Sequence, residues 1–214
     1  MKIFNSEDFF TETYKFILDY INPNTKVLDM GCGTGELMER LEQDKNCKVQ
    51  GIEIDSVLAQ KCVQKGLFVY NGDIIEGAVD YQNKRFDYAV LSNVLQSLME
   101  PKETLEEALR VGKKVIVSFP NFGSLKVRLK LLFSGKMPVT KELPYTWYNT
   151  PNIHFFTVSD FKKLCKDMDI KILNVLYLVK WQNTYRKLHI MPNLRGDFAV
   201  YLLERELKPE EENK

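Results

Sequence analysis

This 214-residue chain carries almost no net charge: 30 Lys and Arg stand against 29 Asp and Glu, a formal +1. Without an excess of one sign there is no field to gather phosphate backbones, which argues against nucleic acid as the main partner. Long apolar runs are also missing. No stretch nears the roughly 18 apolar residues of a membrane span, and Met1-Lys2-Ile3-Phe4-Asn5 leads into polar, acidic sequence rather than a signal peptide. Cysteine is scarce. Cys32, Cys47, Cys62 and Cys165 lie far apart, lack metal-ligand spacing and read as reduced, buried thiols of a cytoplasmic protein, so no metal site is expected. Repeats and low-complexity linkers are absent, so the expectation is one domain spanning 1–214.

What is present is an alternation of strand and helix signals. Phe9, Phe10, Tyr14, Ile17, Leu18 and Ile21 predict an amphipathic N-terminal helix over 6–21, stopped by Asn22-Pro23-Asn24. Strands are predicted at 26–30, 49–54, 68–70, 86–91 and 114–119. Helices are predicted between them at 36–43, from the Ser56 cap through 63, and at 102–111. That order implies parallel βαβ units in residues 25–123, a cofactor-binding half. After Gly123 the rhythm changes. A helix with Leu125, Leu129 and Leu132 on one face runs to Gly135 and reads as a core helix with Lys126, Arg128 and Lys130 on its wet side. A membrane-surface helix and a contact for an acidic patch on a partner are the alternatives. A loop rich in Pro and aromatics (137–156), a helix over 157–168 and strands at 170–179 and 197–204 around a polar loop complete residues 124–205. A charged tail (206–214) follows. The expected fold is α/β, a doubly wound, mostly parallel seven-stranded sheet of Rossmann-like type with one antiparallel strand near the C-terminus.

The first strand opens into "LDMGCGTGE", with glycines at 31, 33 and 35. A dinucleotide-binding turn places pyrophosphate on the helix N-terminus and needs a glycine where this chain has Glu36. Asp29 and Glu36 therefore flank the place a diphosphate would occupy, and like charges there oppose it. The same acids suit an ammonium-bearing ligand without phosphate, the profile of S-adenosylmethionine or S-adenosylhomocysteine. Glu53, about 20 residues on, stands where a carboxylate accepts ribose hydroxyls, with Ile54 beside it. Asp73 is placed for the adenine amino group and Ile74 for the ring face, while Ser92 and Asn93 close the site. Taken singly, each acid also reads as a cap or surface charge.

"VLDMGCGTG", "GIEID" and "NGD" resemble the class I S-adenosylmethionine-dependent methyltransferases. "LSNVLQSL" and the stretch from "VSFPNFGSLKVRLKLLFSGKMPVTKELPYTWY" to "NTPNIHFFTVSDF" resemble the methionine biosynthesis protein MetW family over roughly residues 25–200. The resemblance implies a methyltransferase-like protein that works with homoserine O-acyltransferase in methionine synthesis.

Methyl transfer from a sulfonium is an in-line displacement in which protein mainly aligns the nucleophile, so a missing catalytic dyad does not exclude activity. Gln96, Asn121, Tyr145, Trp147, Tyr148, Asn152 and His154 are the candidates for an acceptor or partner. His154 is suited to general-base work and equally to a structural hydrogen bond before a helix. The readings are a partner that activates the acyltransferase, a methyltransferase on a small metabolite, and, third, a nicotinamide-dependent oxidoreductase. Homo-oligomerisation stays open.

Overall fold

The computed structural model describes residues 13–182 and 184–205. Of the helix expected over 6–21, residues 13–18 are helical and bury Phe16 and Ile17, while 19–21 turn away from the helix with Ile21 still buried; residues 6–12, like the tail 206–214, lie outside the described residues. Parallel strands β1 (Lys26–Met30), β2 (Lys48–Glu53), β3 (Val69–Asn71), β4 (Phe86–Ser92) and β5 (Gly112–Pro120) alternate with α1 (Glu36–Lys45), α2 (Ser56–Gln64), α3 (Ile74–Ala78) and α4 (Pro101–Val111). Then come α5 (Leu125–Ser134), α6 (Val158–Asp167), β6 (Lys171–Trp181), β7 (Thr184–Leu188), α7 (Pro192–Arg195) and β8 (Phe198–Glu204).

The sheet order is β3-β2-β1-β4-β5-β8-β6-β7. It has eight strands, not the seven expected. β8 is inserted antiparallel between β5 and β6, and β7 pairs antiparallel with β6 at the edge. Two strands thus run against the rest instead of one. The polar loop expected between the last two strands folds in part as β7, where only Tyr185 and Leu188 of Thr-Tyr-Arg-Lys-Leu are buried and the pattern does not alternate.

Both faces of the sheet are covered, as a parallel sheet requires. In β1, Leu28 and Met30 face a core shared with Ile74, Leu105, Leu109 and Phe161. Val27 faces the other core, with Leu37, Leu41 and Ile17. Phe119 of β5 packs on Phe161 and Tyr201 at centroid distances of 4.9 and 5.7 Å, which joins the C-terminal strands to the first half. The strand order reverses between β1 and β4, so a crevice opens above their carboxyl ends. Among the described residues no helix is long and apolar enough to cross a membrane.

The helix after Gly123 departs most from expectation. Of α5, only Val127 is buried. Leu125, Leu129, Leu131, Leu132 and Phe133 are exposed, Leu132 at 73% and Phe133 at 81%. The apolar face was legible; its placement in the core is corrected, because no element among the described residues lies over it.

Candidate functional site

The glycine turn joins the end of β1 to α1. Gly31, Gly33 and Gly35 have φ of 87, 57 and 75°, the left-handed region where a Cβ is strained. The backbone N–H groups of Gly31 and Cys32 donate to Ile52 O of β2 at 2.8 and 3.0 Å, which pins the start of the turn. Gly35 is the N-cap of α1, and a Cβ on it would come within 2.4 Å of Leu67 Cδ1 and 3.0 Å of Cys62 Sγ. A Cβ on Gly33 would meet nothing within 4 Å. One glycine is needed for packing, and the other leaves open space.

That space belongs to a cleft of about 370 Å³. Of the sequence-derived ligand residues, Gly31, Gly33, Glu53, Ile54, Asp73, Ile74, Ser92 and Asn93 line it. Asp29 and Gly35 do not. Asp29 lies in β1 just before the turn, 2% exposed, and its Oδ1 has no hydrogen-bond partner. Burial first, and then the Glu53 charge, raise its carboxyl pKa to about 7. Sequence reasoning passed over Tyr14, Cys32, Thr34, Leu58, Val94 and Leu98 as lining residues. The Tyr14 phenol, pushed up by burial and then by Asp29 and Glu36, marks the acid side of the cleft. Its helical spacing made it look like one more apolar contact.

The carboxylates are held differently. Glu53 is 7% exposed; Oε2 accepts the Gly33 N–H at 2.7 Å and Oε1 the Asp55 N–H at 2.9 Å. It therefore ties the glycine turn to the end of β2 and retains lone pairs for hydroxyl donors. Asp73 caps α3 by accepting the Ile75 N–H at 2.8 Å, so the cap alternative holds for one of its oxygens while the residue still lines the cleft. Ile54 forms the rim, 70% exposed. Ser92 Oγ accepts from Ser118 Oγ at 3.3 Å. Asn93 sits at φ 56°, in the left-handed region that asparagine adopts more readily than other non-glycine residues, and both of its side-chain amide atoms are buried without partners.

The acceptor and partner candidates do not gather in one place. Gln96, 5% exposed, donates from Nε2 to Asn93 O at 2.6 Å and leaves Oε1 unpartnered. Its backbone O accepts the N–H groups of Ile153 and His154 at 2.8 and 2.9 Å, so the long loop is strapped to the end of β4. His154 Nε2 is buried without a partner. Asn121 has a different fate: it clamps structure. Nδ2 donates to Asn193 O and Gly196 O at 3.1 and 2.8 Å, and Oδ1 accepts from Gly123 N and Val158 N at 3.0 and 3.3 Å. With its hydrogen-bonding groups spent, it is withdrawn as an acceptor contact. Tyr145, Trp147 and Asn152 line a second cleft of about 230 Å³ between α5 and the long loop, with Val127, Leu131, Met137 and Phe155. Tyr148 lies beside Trp147, 71% exposed, and lines neither cleft.

Solved structures with the same architecture include an S-adenosylmethionine-dependent methyltransferase from Archaeoglobus fulgidus. It is similar at TM-score 0.68 and 16% identity, over 94% of this chain and 95% of that one. Another, from Thermotoga maritima, is described as a possible histamine N-methyltransferase; it matches at TM-score 0.67 and 17% identity, over 94% and 91%. At such identity they establish the fold, that of S-adenosylmethionine-dependent methyltransferases. The bifunctional methionine biosynthesis protein MetXA/MetW of Rhodopirellula baltica is 30% identical over 199 residues, 89% of this chain. The chain spans 32% of that relative's length. Residues 11–203 match the family described as methionine biosynthesis protein MetW, and the chain belongs to that family.

Proposed function

We infer that the chain binds S-adenosylmethionine, or S-adenosylhomocysteine, in the first cleft and acts with homoserine O-acyltransferase as its regulatory partner in methionine synthesis. The observation that carries the ligand half is a set of buried polar atoms without partners around an open glycine turn: Asp29 Oδ1 and both amide atoms of Asn93. Native proteins rarely leave such atoms unpaired. A ligand with an ammonium group, hydroxyls and a purine supplies what they lack. In this reading the Asp29 carboxylate faces the amino-acid end, Glu53 accepts ribose hydroxyls, and Ile54, Asp73 and Ile74 border the base. The bound sulfonium is an activated methyl donor. The chain's own groups bind and orient it, and a diphosphate is turned away by Asp29, Glu36 and Glu53.

The partnership is supported by the relative that carries MetXA and MetW in one chain, since covalent linkage raises effective concentration for two modules that act together. Calorimetry with S-adenosylmethionine and NAD, followed by mixing with the acyltransferase of the same organism, tests both halves. The expected result is binding of S-adenosylmethionine but not NAD, and a change in acyltransferase rate on mixing. Tighter binding of NAD would return the oxidoreductase reading. No association and no rate change would remove the partnership.

A methyltransferase acting on a small acceptor is the second reading, favoured by one observation: Gln96 Oε1 and His154 Nε2 are also buried and unpartnered. Incubation of cell extract with methyl-labelled cofactor is the check. Label appearing in a small molecule, and lost in Asp29→Ala, supports transfer; no labelled product argues against it.

A further inference from the structure

α5 carries two apolar faces, and among the described residues only one has a neighbour across it. Val127 and Leu131 face the second cleft, toward Met137, Tyr145 and Phe155. The other face repeats at i, i+4, i+7 and i+8: Leu125, Leu129, Leu132 and Phe133, all exposed. This is the spacing of an amphipathic helix that lays anchors in a partner's groove. Basic residues flank it. From residue 108 to residue 141 the chain contains no Asp or Glu, while Lys126, Arg128, Lys130, Lys136 and Lys141 occupy α5 and the loop after it.

We propose that the outer face of α5 (Leu125, Leu129, Leu132, Phe133), with Lys136 at its edge, is the docking surface for the acyltransferase, on which it meets an apolar groove bordered by carboxylates. This rests on the partnership inferred above and names the surface that serves it. Charge complementarity selects the occupant. A second copy of this chain would set basic residues against basic residues across a two-fold axis, which repels. A lipid surface suits cations that are free to reach headgroups. Here Lys126 Nζ is held by Asp197 Oδ2 at 2.8 Å, Arg128 Nε by Gly123 O at 2.6 Å and Lys130 Nζ by Val139 O at 2.6 Å. Asp197 offsets the Lys126 charge, whereas Arg128 and Lys130, held by neutral carbonyls, keep theirs in fixed positions that match a folded protein with equally fixed acids. The surface is also joined to the ligand cleft: Leu131 on the inner side of α5 shares the second cleft with Asn152, and the adjoining Ile153 and His154 are strapped to Gln96.

The experiment compares wild type, the double variant Leu132→Asp/Phe133→Asp and the single variant Lys136→Glu for binding to the purified acyltransferase by biolayer interferometry. Both anchors are largely solvent-exposed, so melting temperatures should stay near wild type, and a Leu132→Ala/Phe133→Ala pair guards against a folding defect of the Asp pair. The expected result is a Kd raised roughly thirtyfold or more in the Asp pair and about fivefold in Lys136→Glu, with S-adenosylmethionine binding intact. If wild type does not bind the acyltransferase at all, the proposed partnership itself fails. If wild type binds and the folded variants bind equally well, only the docking surface is overturned. Loss in the variants of binding to phosphatidylglycerol vesicles, or of self-association by light scattering, with acyltransferase binding unchanged, assigns the face to a membrane or a second copy and overturns it too.

Discussion

Asp29 concentrates the chemistry of the first cleft in one side chain. Its carboxyl is 2% exposed, has one oxygen unpartnered, and titrates near pH 7 because burial and Glu53 disfavour its charge. Unfolded, the group titrates at the ordinary aspartate value of 3.8. Between these values the folded chain holds a proton that the unfolded chain has lost, so stability falls as pH rises from about 4 to about 7. At roughly 1.4 kcal/mol per unit, the fall is at most about 4 kcal/mol. Asp29→Asn, which keeps shape and removes charge, should flatten it in urea denaturation at several pH values. An ammonium ligand reverses the preference by favouring the carboxylate. S-adenosylmethionine should therefore release a proton on binding below pH 7, and its Kd should tighten between pH 5.5 and 7.5. Calorimetry in buffers of different ionisation enthalpy measures this directly; a wild-type Kd that ignores pH would separate Asp29 from the ligand. The acid was visible beside the glycines in the sequence. Its depth was not, because burial at the end of β1 depends on β2, β4 and the helical turn at Tyr14, all of them remote in sequence.

At the level of elements, the turn and the Asn121 clamp make opposite demands on substitution. Gly33→Ala meets no atom within 4 Å and carries only the left-handed strain, roughly 1–2 kcal/mol. Gly35→Ala adds a collision with Leu67 and Cys62 to the same strain, so it should destabilise by about 2 kcal/mol more. The expected pattern is reversed in ligand binding: Gly33→Ala folds but binds S-adenosylmethionine weakly, because its methyl group occupies the cleft. Urea curves and calorimetry on the two variants check both halves of that pattern. Asn121→Ala should cost about 2–4 kcal/mol, since four backbone groups joining β5, α6 and α7 lose their partner at a buried site. β1 to β5 and the glycine turn were legible because their signals are local: short apolar runs, glycine spacing, and acids at strand ends. β7 was not, since Thr-Tyr-Arg-Lys-Leu buries only two side chains and becomes a strand by pairing with β6, not by its own pattern. Asn121 read as a ligand contact because a polar residue at a strand end looks the same whether it faces solvent or clamps neighbouring loops.

For the molecule as a whole, the proposed function requires a ligand in the first cleft to be felt at the outer face of α5. The helical pattern of α5 revealed an apolar face but not what covers it, because coverage is a property of the assembled chain or of a partner. The structure supplies a physical route. Val94 and Leu98 line the first cleft, Gln96 between them straps Ile153 and His154, and the neighbouring Asn152 lines the cleft against α5. A ligand that orders residues 93–98 orders the strap, and a partner seated on α5 benefits from the same ordering. Coupling of this kind is reciprocal. If S-adenosylmethionine tightens acyltransferase binding by some factor, saturating acyltransferase must tighten S-adenosylmethionine binding by that same factor, expected at about 5- to 150-fold. Two titrations settle it: the acyltransferase against the chain with and without S-adenosylmethionine, and S-adenosylmethionine against the chain with and without the acyltransferase. Equal factors above unity support a ligand-reporting partner. Affinities indifferent to the second component would leave two independent sites on one fold and remove the regulatory half of the proposed function, while the docking surface on α5 would still stand or fall on its own variants.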